Sequence, residues 1–260
     1  MSNCKLVFTP MDTKVMPSVN DPIDNMMVRS MKMGGQEVLY QSIVSSLMWL
    51  MLATHPDLAY TTGVIGRYSA DPKAHHWNLA KWVLRYLKGT QDLELTFDRS
   101  DVNIDMDFHG YSDADWGGDR DTSQSTSGYV FISNHGAIGW SSKLQTMVLL
   151  STTELEYMGL SNAGQHVAWL CMFFDEIGQM QKATTDLKCD NQAAIVLSRD
   201  PQYRAHTKHI QCKYHYIRDD LVAKGECIIQ WCPTDNMVAD IFTKELPHDK
   251  HWTFVHAMGL

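Results

Sequence analysis

No C-x-x-C pair occurs among the six cysteines, which sit at positions 4, 171, 189, 212, 227 and 232. That spacing gives neither a zinc-ligand pattern nor a disulfide framework, so the thiols are expected to be reduced and mostly buried. No basic apolar leader marks the chain for secretion. The longest nearly uninterrupted apolar run, from Ile43 to Ala53, is too short to cross a bilayer and reads as a buried helix. There is no internal repeat and no low-complexity tract. With 44% hydrophobic and 20% charged residues, disorder over the whole length is excluded. Basic charge is also scarce: 22 Lys and Arg against 30 Asp and Glu leave a net charge of −8. Taken over the whole chain, that argues against a phosphate-rich partner, since phosphate contacts need cations.

The shortage is uneven. Between Arg199 and Arg218 lie Arg204, Lys208 and Lys213 with His206, His209 and His215, against a single acid at Asp200. The stretch from Arg67 to Lys88 similarly gathers Lys73, Lys81 and Arg85 with His75 and His76. Each is either a solvated helix face or a local surface for phosphates.

At 260 residues the chain holds one large domain or two modest ones. Residues 1–35 have little periodicity and read as an extended leader. Over 36–99 the pattern is helical. Leu39, Ile43, Leu47, Leu50 and Met51 recur at three- and four-residue steps ahead of Pro56. Asp57 is placed to cap a second helix, Pro72 opens a third, and Gly89 is a C-cap candidate. This small all-helical module is expected to pack as a separate unit without chemistry of its own. Beyond residue 100 the period changes. Strands are expected near 107–113, 128–133 and 136–142, divided by polar turns. Ser151-Thr152-Thr153-Glu154 has the form of a capping box before an apolar helix running to about Ile177. A strand over 187–190, a helix from Asn191 to Ser198, a basic helix over 207–223, a strand over 227–232 and a short helix from Met237 to Thr243 complete the domain at 246. Residues 247–260 read as a tail. This order predicts an α/β fold, a mixed five-stranded sheet flanked by helices and preceded by the helical module.

Four acids fall where such a layout brings them together: Asp113 near the end of the first of these strands, Glu156 in the first turns of the capped helix, Asp190 at a strand end and Asp240 in the last short helix. The carboxyl ends of parallel strands are where sites gather in such folds. Hard carboxylate oxygens suit Mg²⁺, and two ions about 4 Å apart activate a water and stabilise the leaving oxygen of a phosphodiester. In a chain with 30 acids this spacing alone is weak evidence.

The surrounding motifs YSDADWGGD, STTELEY, CDNQAAI, TKHIQCKYHYIR and MVADIFTKELP occur in this order and resemble the ribonuclease H domain of copia-type retroelements. Upstream, YQSIVSSLMWLMLATHPDLAY and HWNLAKWVLRYLKGT resemble the segment that connects the polymerase to that domain in the same polyproteins. The resemblance covers about residues 36–247. It implies a ribonuclease H-like fold, endonucleolytic hydrolysis of the RNA strand of RNA–DNA hybrids, and two Mg²⁺ ions with Mn²⁺ as a substitute. It also implies a reverse transcriptase polymerase domain as partner, no membrane, and an intracellular location in a cytoplasmic particle or the nucleus. Carried over onto this sequence, the metal-site carboxylates are Asp113, Glu156, Asp190 and Asp240. Glu154 is then left to the cap, and Asp115 to the surface or to the surroundings of the site. Lys208, His209, Lys213 and His215 in the basic motif, together with Asn191 and Gln192, are the candidate substrate contacts. Asn191 serves equally well as a helix cap. Trp116 and Trp140 read as core, and Ser125, Thr126 and Ser127 as a turn or as phosphate donors.

The sequence departs from the family pattern in three ways: VSSL stands where a small Gly is usual, Leu155 stands where Ala is common, and no polymerase Y-x-D-D motif is present. An alternative reading is therefore a catalytically inactive remnant or structural module of a retroelement polymerase. A transposase-type nuclease fits less well, because its acids run Asp, Asp, Glu and here the Glu comes second.

Overall fold

The computed structural model describes residues 4–13, 17–18, 26–33, 35–98, 107–146, 151–181, 183–199, 217 and 221–260. The basic helix expected over 207–223 lies almost wholly outside the described residues.

A hairpin comes first. β1 (Ser30–Met33) pairs antiparallel with β2 (Gln36–Leu39), so these four residues do not join the helix that the periodicity assigned them to. The turn between them uses a φ of 85° at Gly35, which side-chain-bearing residues rarely adopt. The helices α1 (Tyr40–Ala53), α2 (Ala59–Gly66) and α3 (Ala74–Gly89) follow. Two expected caps are not used. Asp57 lies in a 3₁₀ turn over Pro56–Leu58, buried, and Gly89 is the last helical residue with Thr90 as C-cap. Asp57 instead accepts a hydrogen bond from Tyr86 Oη at 2.8 Å. Burial outweighs capping here, because a carboxylate removed from water must find a donor.

The five-stranded sheet contains β3 (His109–Asp115), β4 (Thr126–Ser133), β5 (Gly136–Leu144), β6 (Thr185–Cys189) and β7 (Cys227–Trp231) in the order β5-β4-β3-β6-β7. The β3–β4 and β4–β5 pairs are antiparallel; β3–β6 and β6–β7 are parallel. The two-residue turn Asn134-His135 takes φ of 49° and 65°, the left-handed geometry that matches the twist of a tight hairpin. This mixed sheet with helices on both faces is the ribonuclease H-like arrangement implied by the sequence.

Alternation along β4 divides the core in two. Phe131 packs with α4 (Thr152–Glu176), α5 (Gln192–Arg199), Leu187 and Ile229 on one face. Val130 and Ile132 pack on the other, against the 3₁₀ helix Val238–Phe242 and the terminal helix α6 (His248–Ala257). Residues 247–260 are thus a core element: Phe254, Val255 and Met258 are buried beside Ile132 and Ala137. α4 starts after Ser151 as the sequence predicts, but the Ser151 side chain makes no capping bond, so the capping box is not formed.

The helical module does not stand apart. Ala59 belongs to the same apolar cluster as Val130 and Val255, and Trp140 Nε1 donates to Met51 O at 2.8 Å. Leader residues are tied in as well: Trp252 Nε1 donates to Phe8 O and Trp82 Nε1 to Thr9 O, each at 2.9 Å. At the centre of the junction the buried Tyr86 hydroxyl lies 2.8 Å from Asp57 Oδ2 and 3.2 Å from His251 Nε2. Burial pushes the Asp57 carboxyl up and the His251 imidazole down to about 4. Tyr86→Phe keeps the ring and orphans both partners. It is expected to cost about 1–3 kcal/mol, roughly 2–10 °C in Tm for a chain of this size. Thermal unfolding of the full chain measures this, and an unchanged Tm would show that the hydroxyl does not hold the junction.

Candidate active site

The parallel register explains how two distant acids come level. Tyr111 pairs with Lys188 across β3 and β6, so Asp113 and Asp190, each two residues further on, reach the same end of the sheet. α4 crosses β3 closely enough that a Cβ on Gly159 would lie 3.4 Å from Asp113 O, and this brings Glu156, three residues earlier, over the strand ends. The 3₁₀ helix carrying Asp240 is pressed onto β4 where Gly128 leaves room. A Cβ there would stand 2.5 Å from Phe242 Cβ.

Three of the four carboxylates are nearly removed from solvent: relative exposure is 3% for Asp113, 8% for Glu156 and 0% for Asp240. Asp190 is half-buried and accepts from Thr234 Oγ1 at 2.9 Å. Burial, followed by the charges of Asp113, Asp190 and Asp240, pushes the Glu156 carboxyl up to about 10. Asp113 is pushed up to about 6, mainly by burial, with Lys244 opposing and Asp240 and Asp190 adding to the rise. These mutual influences show that the four groups share one electrostatic neighbourhood.

Their counter-charge comes from residues the sequence reading passed over. Lys244 Nζ sits 2.8 Å from Asp240 Oδ1 and 3.6 Å from Asp113 Oδ2, and Lys250 Nζ donates to Asp240 Oδ2 at 2.8 Å. Thr243 Oγ1 donates to Asp113 Oδ2. The acids beside Lys244 push its ammonium further up. The i, i+4 spacing of Asp240 and Lys244 was a legible signal for this pair. Glu156 Oε2 is buried with no hydrogen-bond partner among the described residues.

Other expectations resolve residue by residue. Asn191 acts as the cap, its Oδ1 accepting from Ala194 N at 3.0 Å, while Gln192 is exposed. Lys208, His209, Lys213 and His215 lie outside the described residues. Asp115 is half-buried near Lys244, and burial raises its carboxyl. Trp116 is not core: it is exposed, because the chain leaves β3 just before it. Trp140 is half-buried against the helical module. Ser125 and Ser127 serve the structure, accepting from Gly117 N at 3.0 Å and from Gln145 Nε2 respectively.

A raised carboxyl has a defined linkage sign. Between pH 4.5 and about 10 the folded chain retains a proton on Glu156 that the unfolded chain releases, so stability is lost as pH rises through that window. Glu156→Gln removes the penalty. Without added metal it is expected to leave Tm unchanged near pH 4.5, then raise it increasingly with pH, by roughly 2–6 °C at pH 8 for about 0.5–2 kcal/mol. Equal Tm values for the two proteins across this range would show that Glu156 is solvated.

No family model matches the sequence. Over 256 residues, 96% of this chain, it is 39% identical to the retrovirus-related Pol polyprotein from transposon TNT 1-94 of Nicotiana tabacum, of whose length it spans 18%. A stretch of 135 residues is 47% identical to the secreted RxLR effector protein 161 of Plasmopara viticola, covering 52% of this chain and 93% of that one. The solved structure of LC11-RNase H1, isolated from compost, is 18% identical with a TM-score of 0.39, covering 53% of this chain and 93% of that chain. Along almost its whole length the chain is homologous to retrovirus-related Pol polyproteins of copia-type transposons, of whose length it spans 18% or less.

Proposed function

We propose that this chain hydrolyses the RNA strand of RNA–DNA hybrids during reverse transcription of a retroelement. The observation that carries this reading is the convergence of four carboxylates from β3, α4, the end of β6 and the last 3₁₀ helix, with Glu156 Oε2 buried and unpartnered. A buried acid cluster of this kind is costly unless cations share it.

The donor set fits Mg²⁺, which takes hard oxygen ligands and keeps waters. When bound there, a pair of such ions supplies an activated water and stabilises the leaving oxygen of an in-line displacement. Asp113, Glu156, Asp190 and Asp240 would together hold these ions. Thr243 orients Asp113 through its hydroxyl, and Lys244 balances the charge of Asp113 and Asp240. Gln192, exposed beside the strand end that carries Asp190, would sense the 2′-hydroxyl that distinguishes RNA from DNA. The basic segment with Lys208, His209, Lys213 and His215 would track the phosphates.

The division into a leader over 1–35, a connection-like segment over 36–99 and a nuclease domain over 100–246, to whose core residues 247–260 add, is part of the same proposal, as is a polymerase domain in the same polyprotein. We place the activity inside the cell, in a particle or the nucleus.

Labelled RNA–DNA hybrid, with RNA–RNA and DNA–DNA duplexes as controls, tests the activity with and without Mg²⁺. Asp113→Asn should lower the cleavage rate by at least about 10³-fold while the fold is kept. Asp240→Asn should leave residual cleavage that recovers partly at high metal. A parent chain inactive in both Mg²⁺ and Mn²⁺ would establish the inactive-remnant reading instead.

Substrate binding has its own measure. Replacing Lys208 and Lys213 by Ala should weaken hybrid affinity and flatten its log–log salt dependence by about one unit per lost phosphate contact. An unchanged slope would mean that these lysines face solvent only.

A further inference from the structure

Cys189 has no part in the proposed hydrolysis, yet its thiol lies against the site. It is the last residue of β6 and fully buried on the face packed by α4, one residue before Asp190. One ligand atom from each of Glu156, Cys189 and Asp190 falls in a group whose members all lie within 4.8 Å of one another. Glu156 is more than nine-tenths buried and its Oε2 has no hydrogen-bond partner among the described residues. The thiol's own contacts are weak ones with the neighbouring backbone, 3.4 Å to Asn191 N and 4.0 Å to Asn191 O.

We infer that Glu156, Cys189 and Asp190 form a site for a thiophilic divalent cation of the Zn²⁺ or Cd²⁺ type, whose occupation blocks hydrolysis. Mixed sulfur and oxygen donors select zinc-like ions over Mg²⁺, and zinc outranks Mn²⁺ at a common site. A tetrahedral zinc holds a sulfur at about 2.3 Å and carboxylate oxygens at about 2.1 Å, hence roughly 3.6 Å from each other. The cluster reaches that spacing by contracting about 1 Å, within the range of a carboxylate rotamer change. On binding, the sulfur–hydrogen bond of Cys189 and the oxygen–hydrogen bond of Glu156 are each replaced by a bond to the metal, and both protons pass to solvent. Two of the four carboxylates are then committed to an ion bound through sulfur, and the oxygen-only arrangement that Mg²⁺ needs is lost. The inhibitory consequence rests on the function proposed above; the binding site does not.

Cadmium titration of the full chain tests the binding directly, because a Cd²⁺–thiolate bond gives an ultraviolet charge-transfer band independent of any activity. The parent should develop its tightest band at one Cd²⁺ per chain. Cys189→Ser and Cys189→Ala should each lose that band, and Glu156→Gln should weaken its affinity by at least about tenfold. Cys232→Ser should keep it. If both Cys189 variants retain the band at parental affinity, another thiol binds the ion and the site is refuted. If Glu156→Gln leaves the affinity unchanged, the ion is held by a lone thiol and the three-residue site is refuted. In hybrid cleavage with Mg²⁺, added Zn²⁺ should inhibit the parent at concentrations at least about tenfold below those needed for Cys189→Ser. Equal sensitivity would overturn the inhibitory role. A parent that cleaves nothing overturns the proposed function, while the cadmium titration still decides the site.

Discussion

Burying three carboxylates at one end of a sheet is the constraint on which the rest of this structure depends. Asp113, Glu156 and Asp240 sit almost beyond the reach of solvent, beside a fourth acid in Asp190. Like charges so placed repel, and water is not available to screen them. The fold answers with Lys244 and Lys250 around Asp240, with the Thr243 hydroxyl on Asp113, and with a proton held on Glu156. Each answer is an element that has to be brought to the sheet, and the arrangement of the C-terminal residues follows from that need. The 3₁₀ helix and the two residues after it deliver Asp240, Thr243 and Lys244 together, and α6 delivers Lys250.

The same requirement explains why the helical module and the sheet share a core. α6 can present Lys250 to Asp240 only if its other side is anchored. That anchor is the buried contact of His251 with Tyr86, together with the bond from Trp252 to Phe8 O at the surface. A second tie joins Arg67 at the end of α2 to Asp119 in the turn after β3, the strand that carries Asp113. Asp119 in turn organises that turn by accepting from Asp121 N at 3.0 Å and Thr122 N at 2.7 Å. The module therefore buttresses both chain segments that flank the acids, although it contributes no carboxylate to them.

A cluster of this construction costs stability. Raised carboxyls such as Glu156 lower stability at neutral pH, and that cost is tolerated where function requires concentrated charge. Among the described residues Glu156 Oε2 is a buried acceptor without a hydrogen-bond partner, which adds to the cost of keeping this carboxyl out of water.

Much of this was legible along the chain. Period-two stretches gave β3, β4 and β5 to within two residues, because a strand with one apolar face must alternate. The ordered motifs named the four acids. Local signals failed where burial overrode them: Asp57 and the Ser151 box had capping form, yet one carboxylate went to Tyr86 and the serine side chain capped nothing. Trp116 looked like core but lies past the strand end, in solvent. The sequence by itself determined which residues carry charge, which stretches alternate, and which acids belong to the family's motif, since these are properties of neighbours in the chain. Only the tertiary structure decided that Lys244 stands beside Asp113, that residues 247–260 pack against Ile132 and Ala137, and that Cys189 stands beside Glu156. Those pairings depend on strand register and helix packing, which bring together groups tens of residues apart, and no local pattern encodes such distances.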